Sequence, residues 1–188
     1  MNIKEVKKAI RVGEIRVGNK KYTGSKYVYY DYALELLYDQ EFNNDLKRKE
    51  LSIVYFFVVN GIIYKIGQSS GKNGIEGCIG FYLKSGQDDP GMNRFAINWL
   101  IREKLIENKK VEIYMLFQIG FKMKVSGLFT SKEVFAVTPS KAMEQNCIDQ
   151  YKGEEKKYPN WNYQEDGTPL PEDITRAFGQ YKIDRKDK

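Results

Sequence analysis

Histidine is absent from the 188 residues. Without it no Ser-His-Asp or Cys-His catalytic arrangement can be built, nor a zinc site of the HExxH kind. Any proton transfer must run through Tyr, Lys, Glu, Asp or water. Cysteine is scarce, and Cys78 and Cys147 make neither a disulfide framework nor a zinc site. That usage fits a reducing, cytoplasmic setting. No apolar run reaches the roughly 18 residues of a membrane helix, so no membrane partner is expected. The first residues carry Lys4, Lys7, Lys8 and Arg11 and no long apolar stretch, which does not read as a secretory signal.

What is present suits one globular domain of ordinary size. Hydrophobic residues make up 41% and charged residues 30%, with enough aromatic bulk for a core. Lys and Arg outnumber Asp and Glu by 31 to 25, for a net charge of +6. A basic, Tyr-rich protein fits nucleic acid as partner, although the same charge also serves plain solubility. Within residues 1–50, Lys20, Lys21 and Lys26 alternate with Tyr and Gly. Such a segment can track phosphates as an arm, or pack on the body as a peripheral β-ribbon. Tyr32 to Asn44 shows helical spacing in Ala33, Leu36, Leu37 and Phe42.

The middle of the chain predicts a compact α+β unit. Ser52 to Val59 reads as a strand, Asn60-Gly61 as a hairpin turn, and Ile62 to Gly67 as the return strand. Asp88-Asp89-Pro90 reads as the start of a helix carrying Phe95, Trp99, Leu100, Leu105 and Ile106. Val111 to Phe117 predicts a strand, and Ser140 the N-cap of a helix reaching about Tyr151. Pro159 opens a tail rich in Pro, Trp and Asn, with a charged, frayed end.

Register decides what the hairpin can do. A two-residue turn pairs Val59 with Ile62 and sends Tyr55 and Lys65 to opposite faces. A three-residue loop pairs Val58 with Ile62 and sets Tyr55 opposite Lys65. The second register is preferred, because it gathers both polar groups on the less buried face. A cation beside a phenol lowers its pKa and helps it act as a base. The same pair also occurs as plain sheet packing with a snorkelling lysine.

The late helix holds an anomaly. Measured from Met143 at about 100° per residue, Cys147, Tyr151 and Ile148 form an apolar stripe with Glu144 inside it. A carboxylate there must be paired with a cation or bound to a metal, and Glu is a hard oxygen donor suited to Mg²⁺. Pairing with a nearby lysine at the stripe's edge is the plainer alternative.

These residues together resemble the GIY-YIG nuclease family. The likeness is carried by Ile53-Val54-Tyr55, the ten residues from Tyr55 to Lys65, Lys65-Ile66-Gly67, Cys78-Ile-Gly-Phe-Tyr82, and the Glu144 helix followed by Pro159-Asn-Trp-Asn162. It spans roughly residues 51–163, and extends to the family's small type II restriction endonucleases and the endonuclease II of T-even phages. The resemblance implies a three-stranded antiparallel sheet flanked by helices, with an N-terminal arm and a C-terminal extension. The implied division is a DNA-contacting arm over 1–50, a nuclease core over 51–163 with an insertion around 117–139, and a tail over 164–188.

The implied activity is site-specific, metal-dependent hydrolysis of phosphodiester bonds in double-stranded DNA, by a homodimer. Tyr55 would be the general base or water orienter, with Lys65 at the second motif tyrosine and Tyr82 near the scissile phosphate. Glu144 would hold Mg²⁺ or Mn²⁺, and Asn162, or else Asn160, would match a trailing asparagine. Lys20, Lys21, Lys26 and the insertion are candidates for DNA contact. One position departs from the family, which places an arginine where this chain has Cys78. Lys72, Lys84 or Arg94 could reach the phosphate in its place. Otherwise the chain is a DNA-binding module that does not cut.

Overall fold

The computed structural model describes residues 1–21, 32–70, 73–85, 90–136 and 139–186. The architecture is α+β. Five strands form one antiparallel sheet: β1 (Ile10–Lys21), β2 (Tyr32–Tyr38), β3 (Ser52–Val59), β4 (Ile62–Ser69) and β5 (Val111–Gln118). Their order across the sheet is β2-β1-β5-β3-β4. The expected three strands are thus β5-β3-β4, and residues 10–38 extend that sheet by two more.

The helical reading of Tyr32 to Asn44 is overturned by this pairing. Residues 32–38 are strand β2, with Arg16 opposite Glu35 and Val17 opposite Leu34. Leu34 is buried and Leu36 packs beside the same core, an alternation that suits a strand. Cross-strand pairing outweighs the weaker helical spacing.

Helices cover both faces of the sheet. On one face lie α1 (Gly74–Leu83), α2 (Met92–Ile106) and α5 (Glu172–Lys186), over Ile53, Tyr55, Phe57 and Ile113. On the other face α3 (Ser140–Glu155) sets Ile148 and Tyr151 against Val54, Phe56 and Ile66. All eight residues of β3 are therefore buried, and the face carrying Tyr55 is as buried as the other. A strand covered on both faces reads as a continuous apolar run, as Ser52–Val59 does.

Two boundaries differ from the sequence reading. Helix α2 starts at Met92, where the Gly91 carbonyl accepts from Arg94 and Phe95. Pro90 precedes it, and Asp88 and Asp89 lie outside the described residues. The segment after Pro159 is structured, with a short turn α4 (Tyr163–Asp166) and the 15-residue α5. Ile174, Ala177 and Tyr181 share one side of α5 and are buried, with the Tyr181 ring 5.6 Å from that of Phe95. Residues 117–139, expected as an insertion, contain a separate two-stranded ribbon, β6 (Phe121–Ser126) with β7 (Ser131–Ala136). No described helix is long and apolar enough to cross a membrane.

Candidate active site

The hairpin solves the register question in a third way. Asn60 and Gly61 both have positive φ, 47° and 83°, so the turn has two residues. Val59 pairs with Ile62 and Val58 with Ile63. A bulge at Tyr64 then shifts the register, so that Phe57 faces Lys65 and Tyr55 faces Gly67. The extra residue does what the expected three-residue loop would have done. Tyr55 and Lys65 share a face, as diagonal neighbours rather than a direct pair.

Gly67 is required by this arrangement. A Cβ there would run into the ring and hydroxyl of Tyr55. Tyr55 is 3% exposed, and its hydroxyl lies 2.7 Å from that of Tyr82 on α1. Tyr82 packs edge-on to Phe57, with ring centroids 5.4 Å apart. Cys78 sits one helical turn before Tyr82 on the same side of α1. Its thiol is within reach of the hydroxyls of Ser69 and Tyr55, which favour the thiolate but do not outweigh burial.

Protonation follows from burial. Desolvation pushes Tyr55 well above the ordinary phenol value, and its bond to Tyr82 and the nearby Glu144 add to this. Tyr82 is raised by the same loss of water, and its bond to Tyr55 partly offsets it. The expectation of a lowered Tyr55 pKa is therefore reversed, because desolvation of the phenolate outweighs any neighbouring cation. Cys78 is pushed up to about 11 by burial and is a neutral thiol at physiological pH. It cannot supply the charge of an arginine. Burial lowers the Lys65 pKa, against the opposing pull of Glu165 and Glu144.

Glu144 comes from α3 on the far face, and its charge is felt by Tyr55, Tyr82 and Lys65 across β4, the last strand of the sheet. It is half-buried, and its carboxyl pKa is raised by desolvation and then by Glu165, with Lys65 and Lys141 opposing. Among the described residues no hydrogen bond, and no ion pair within 4.0 Å, holds the Glu144 carboxylate. A carboxylate raised by a second carboxylate and left unpaired suits a hard cation, which would reverse both penalties. The described residues contain no cluster of three or more acidic or thiol ligands.

The remaining predicted residues divide. Asn162 is 1% exposed, and its amide is spent on the edge strand. Its Oδ1 accepts from Ile66 N at 2.9 Å, and its Nδ2 donates to Ile66 O at 2.8 Å. The Trp161 amide donates to Tyr64 O at 2.7 Å beside it. Asn162 thus clamps the strand carrying Lys65, which also protects an open sheet edge. Arg94 is exposed at the start of α2, with its guanidinium 4.4 Å from the centre of the Phe81 ring, and it lowers the Tyr82 pKa. Lys20 and Lys21 lie in β1, away from the edge that carries the site. Lys26 and Lys72 fall outside the described residues.

Sequence reasoning missed three participants. Ser69 reaches the Cys78 sulfur, and Glu165 sits in the field of Glu144 and Lys65. Asn98 is fully buried in α2 and donates to the Tyr82 carbonyl at 2.6 Å and that of Leu83 at 3.1 Å, which fixes the end of α1. Only Asn98 left a signal, an amide among the apolar residues Phe95, Ala96, Ile97 and Ile101.

Fold and site together define an α+β protein with a phenol pair, a lysine and a carboxylate at one sheet edge. No protein-family model matches the chain. No curated protein matches it either. Among solved structures it is similar to a mutant of bacteriophage T4 EndoII, with 16% identity and a TM-score of 0.49, over 86% of this chain and 98% of that one. It is also similar to restriction endonuclease HPY188I in complex with product DNA, with 17% identity and a TM-score of 0.41, over 85% of this chain and 84% of that one.

Proposed function

We propose that this chain is a GIY-YIG endonuclease of restriction type that hydrolyses phosphodiester bonds in double-stranded DNA as a homodimer. The observation that carries the reading is the 2.7 Å contact between Tyr55 and Tyr82, with Lys65 on the same sheet face as Tyr55 and the charge of Glu144 felt by both phenols. These residues are 89 positions apart in sequence at their extremes. Glu144 would hold a divalent cation such as Mg²⁺ or Mn²⁺, which would offset charge on the phosphate and the leaving oxygen.

The protein groups have separable tasks. Tyr55 keeps its proton and orients the attacking water through its hydroxyl. Tyr82 holds Tyr55 in place and offers a hydroxyl towards the phosphate. Lys65, whose pKa burial lowers, takes the proton from water in its free-amine form as the new P–O bond forms. The bond to the leaving sugar oxygen breaks in the same displacement, and that oxygen is protonated from solvent. No covalent intermediate is involved.

The neutral Cys78 favours a second reading, a duplex-binding module with the same fold that does not cut. Loss of one transition-state donor costs about 3–4 kcal/mol, or roughly two to three orders of magnitude in rate. Incubation of the chain and its Glu144→Ala variant with mixed-sequence duplex DNA and Mg²⁺ separates the two. Discrete fragments from the chain alone support the nuclease. Duplex binding by both, with no fragments, supports the silent module.

A further inference from the structure

The ribbon β6–β7 exposes two large apolar side chains where a soluble surface rarely does. Leu128 and Phe129 are 95% and 96% exposed at its tip. The tip is closed by a bond from Gly127 N to Thr130 O at 2.7 Å. Phe121, Met123 and Val125 line one side of β6, and Lys122 and Lys124 the other.

The roots of the ribbon lie at the candidate active site. It leaves the sheet after Gln118, which pairs with Ser52, three residues before Tyr55. It returns at Ser140, whose hydroxyl donates to Gln68 Oε1 at 2.6 Å, one residue from Gly67 and one turn before Glu144. Charge narrows the choice of occupant. The ribbon has three lysines and one glutamate. Lys122 is paired with Glu133 at 3.0 Å, which leaves Lys124 and Lys132 with no ion pair among the described residues. Docking on the same ribbon of a second copy would oppose like charges, whereas phosphates would neutralise them.

We propose that β6–β7 is a DNA arm whose Leu128–Phe129 tip inserts between base pairs as an apolar wedge, while Lys124 and Lys132 hold the flanking phosphates. A two-stranded ribbon fits a duplex groove, and Leu and Phe are side chains that unstack base steps. The inference rests on duplex DNA being the substrate of the neighbouring site. It goes further in assigning the tip a distortion of the duplex.

The test is binding of the full chain, in EDTA to prevent cutting, to a random-sequence duplex carrying 2-aminopurine. The chain is expected to raise the 2-aminopurine fluorescence on binding. Leu128→Ser/Phe129→Ser should abolish the rise and weaken binding at least tenfold, as for a lost stacking contact. Its sedimentation should match that of the parent chain. Lys124→Ser/Lys132→Ser should weaken binding and reduce its dependence on salt. Both pairs are on the outside of the molecule, so folding is not at risk. Unchanged fluorescence and affinity in the tip variant, with the parent chain still binding duplex, overturn the wedge and leave the nuclease reading standing. A change in oligomeric mass in the tip variant overturns it in favour of a second copy. Failure of the parent chain to bind duplex DNA removes the nuclease reading, and the wedge with it.

Discussion

The hydroxyls of Tyr55 and Tyr82 lie 2.7 Å apart, joining strand β3 to helix α1 inside an apolar shell. Removing either hydroxyl leaves the other short of a partner in a buried place. Tyr55→Phe is expected to cost about 1–2 kcal/mol of stability, and Tyr82→Phe about as much. The double variant should cost less than the sum, because the hydroxyls are lost together. Urea unfolding of the four proteins checks this. In any background that cuts DNA, Tyr55→Phe should lower the rate by two orders of magnitude or more.

Gly67→Ala tests the packing that aims Tyr55. The added methyl meets the Tyr55 ring, which is enclosed by Phe57 and Tyr82 and has nowhere to retreat. The expected loss is about 1–3 kcal/mol. Pairing with Tyr55→Ala should recover part of it, as measured by thermal unfolding.

Asn162→Leu separates a structural amide from a DNA contact. It leaves the Ile66 N–H and C=O buried without partners, at an expected cost of about 2–4 kcal/mol. At a temperature where the variant is still folded, duplex affinity should stay close to that of the parent. A loss of affinity with unchanged stability would instead place this amide on the DNA.

The pH dependence of Glu144 has a definite sign. Its carboxyl pKa is raised in the fold, by desolvation and then by Glu165. The folded chain therefore holds that proton more tightly than the unfolded chain. This contribution to stability is complete below the unfolded pKa and is lost as pH rises through the folded one. At neutral pH the Glu144 charge costs the fold, so Glu144→Gln should raise Tm at pH 7.5 and not at pH 4. Added Mg²⁺ should raise Tm of the parent chain and not of Glu144→Gln. Thermal scans across pH and metal measure both effects.

Much of the site was legible because its parts are local. Strand β3 is a run of apolar residues, and Asn60-Gly61 is a turn with one preferred geometry. The face shared by Tyr55 and Lys65 was read correctly for the wrong reason. The bulge at Tyr64 depends on the chain returning at Trp161 and Asn162, about 100 residues later, and no local pattern announces it. Strand β2 is hidden because Ala33, Leu36 and Leu37 have helical spacing, while the pairing with β1 that makes them a strand is not written in the segment itself. The role of α5 was hidden by charge. Ile174, Ala177, Phe178 and Tyr181 have helical spacing, but the segment is so polar that its apolar side is narrow. The raised Tyr55 pKa is not legible in the strand, because burial on both sides of β3 follows from α1 and α3 docking on opposite faces.

The most direct test of the central claim is cleavage of a mixed-sequence duplex pool in Mg²⁺ by Cys78→Arg and by Cys78→Arg/Glu144→Ala. The arginine would supply the phosphate charge that the neutral thiol lacks. The account predicts discrete fragments from Cys78→Arg, at a rate at least a hundredfold above that of the double variant. Absence of fragments from Cys78→Arg and from the parent chain, with both proteins folded and bound to duplex, would contradict it.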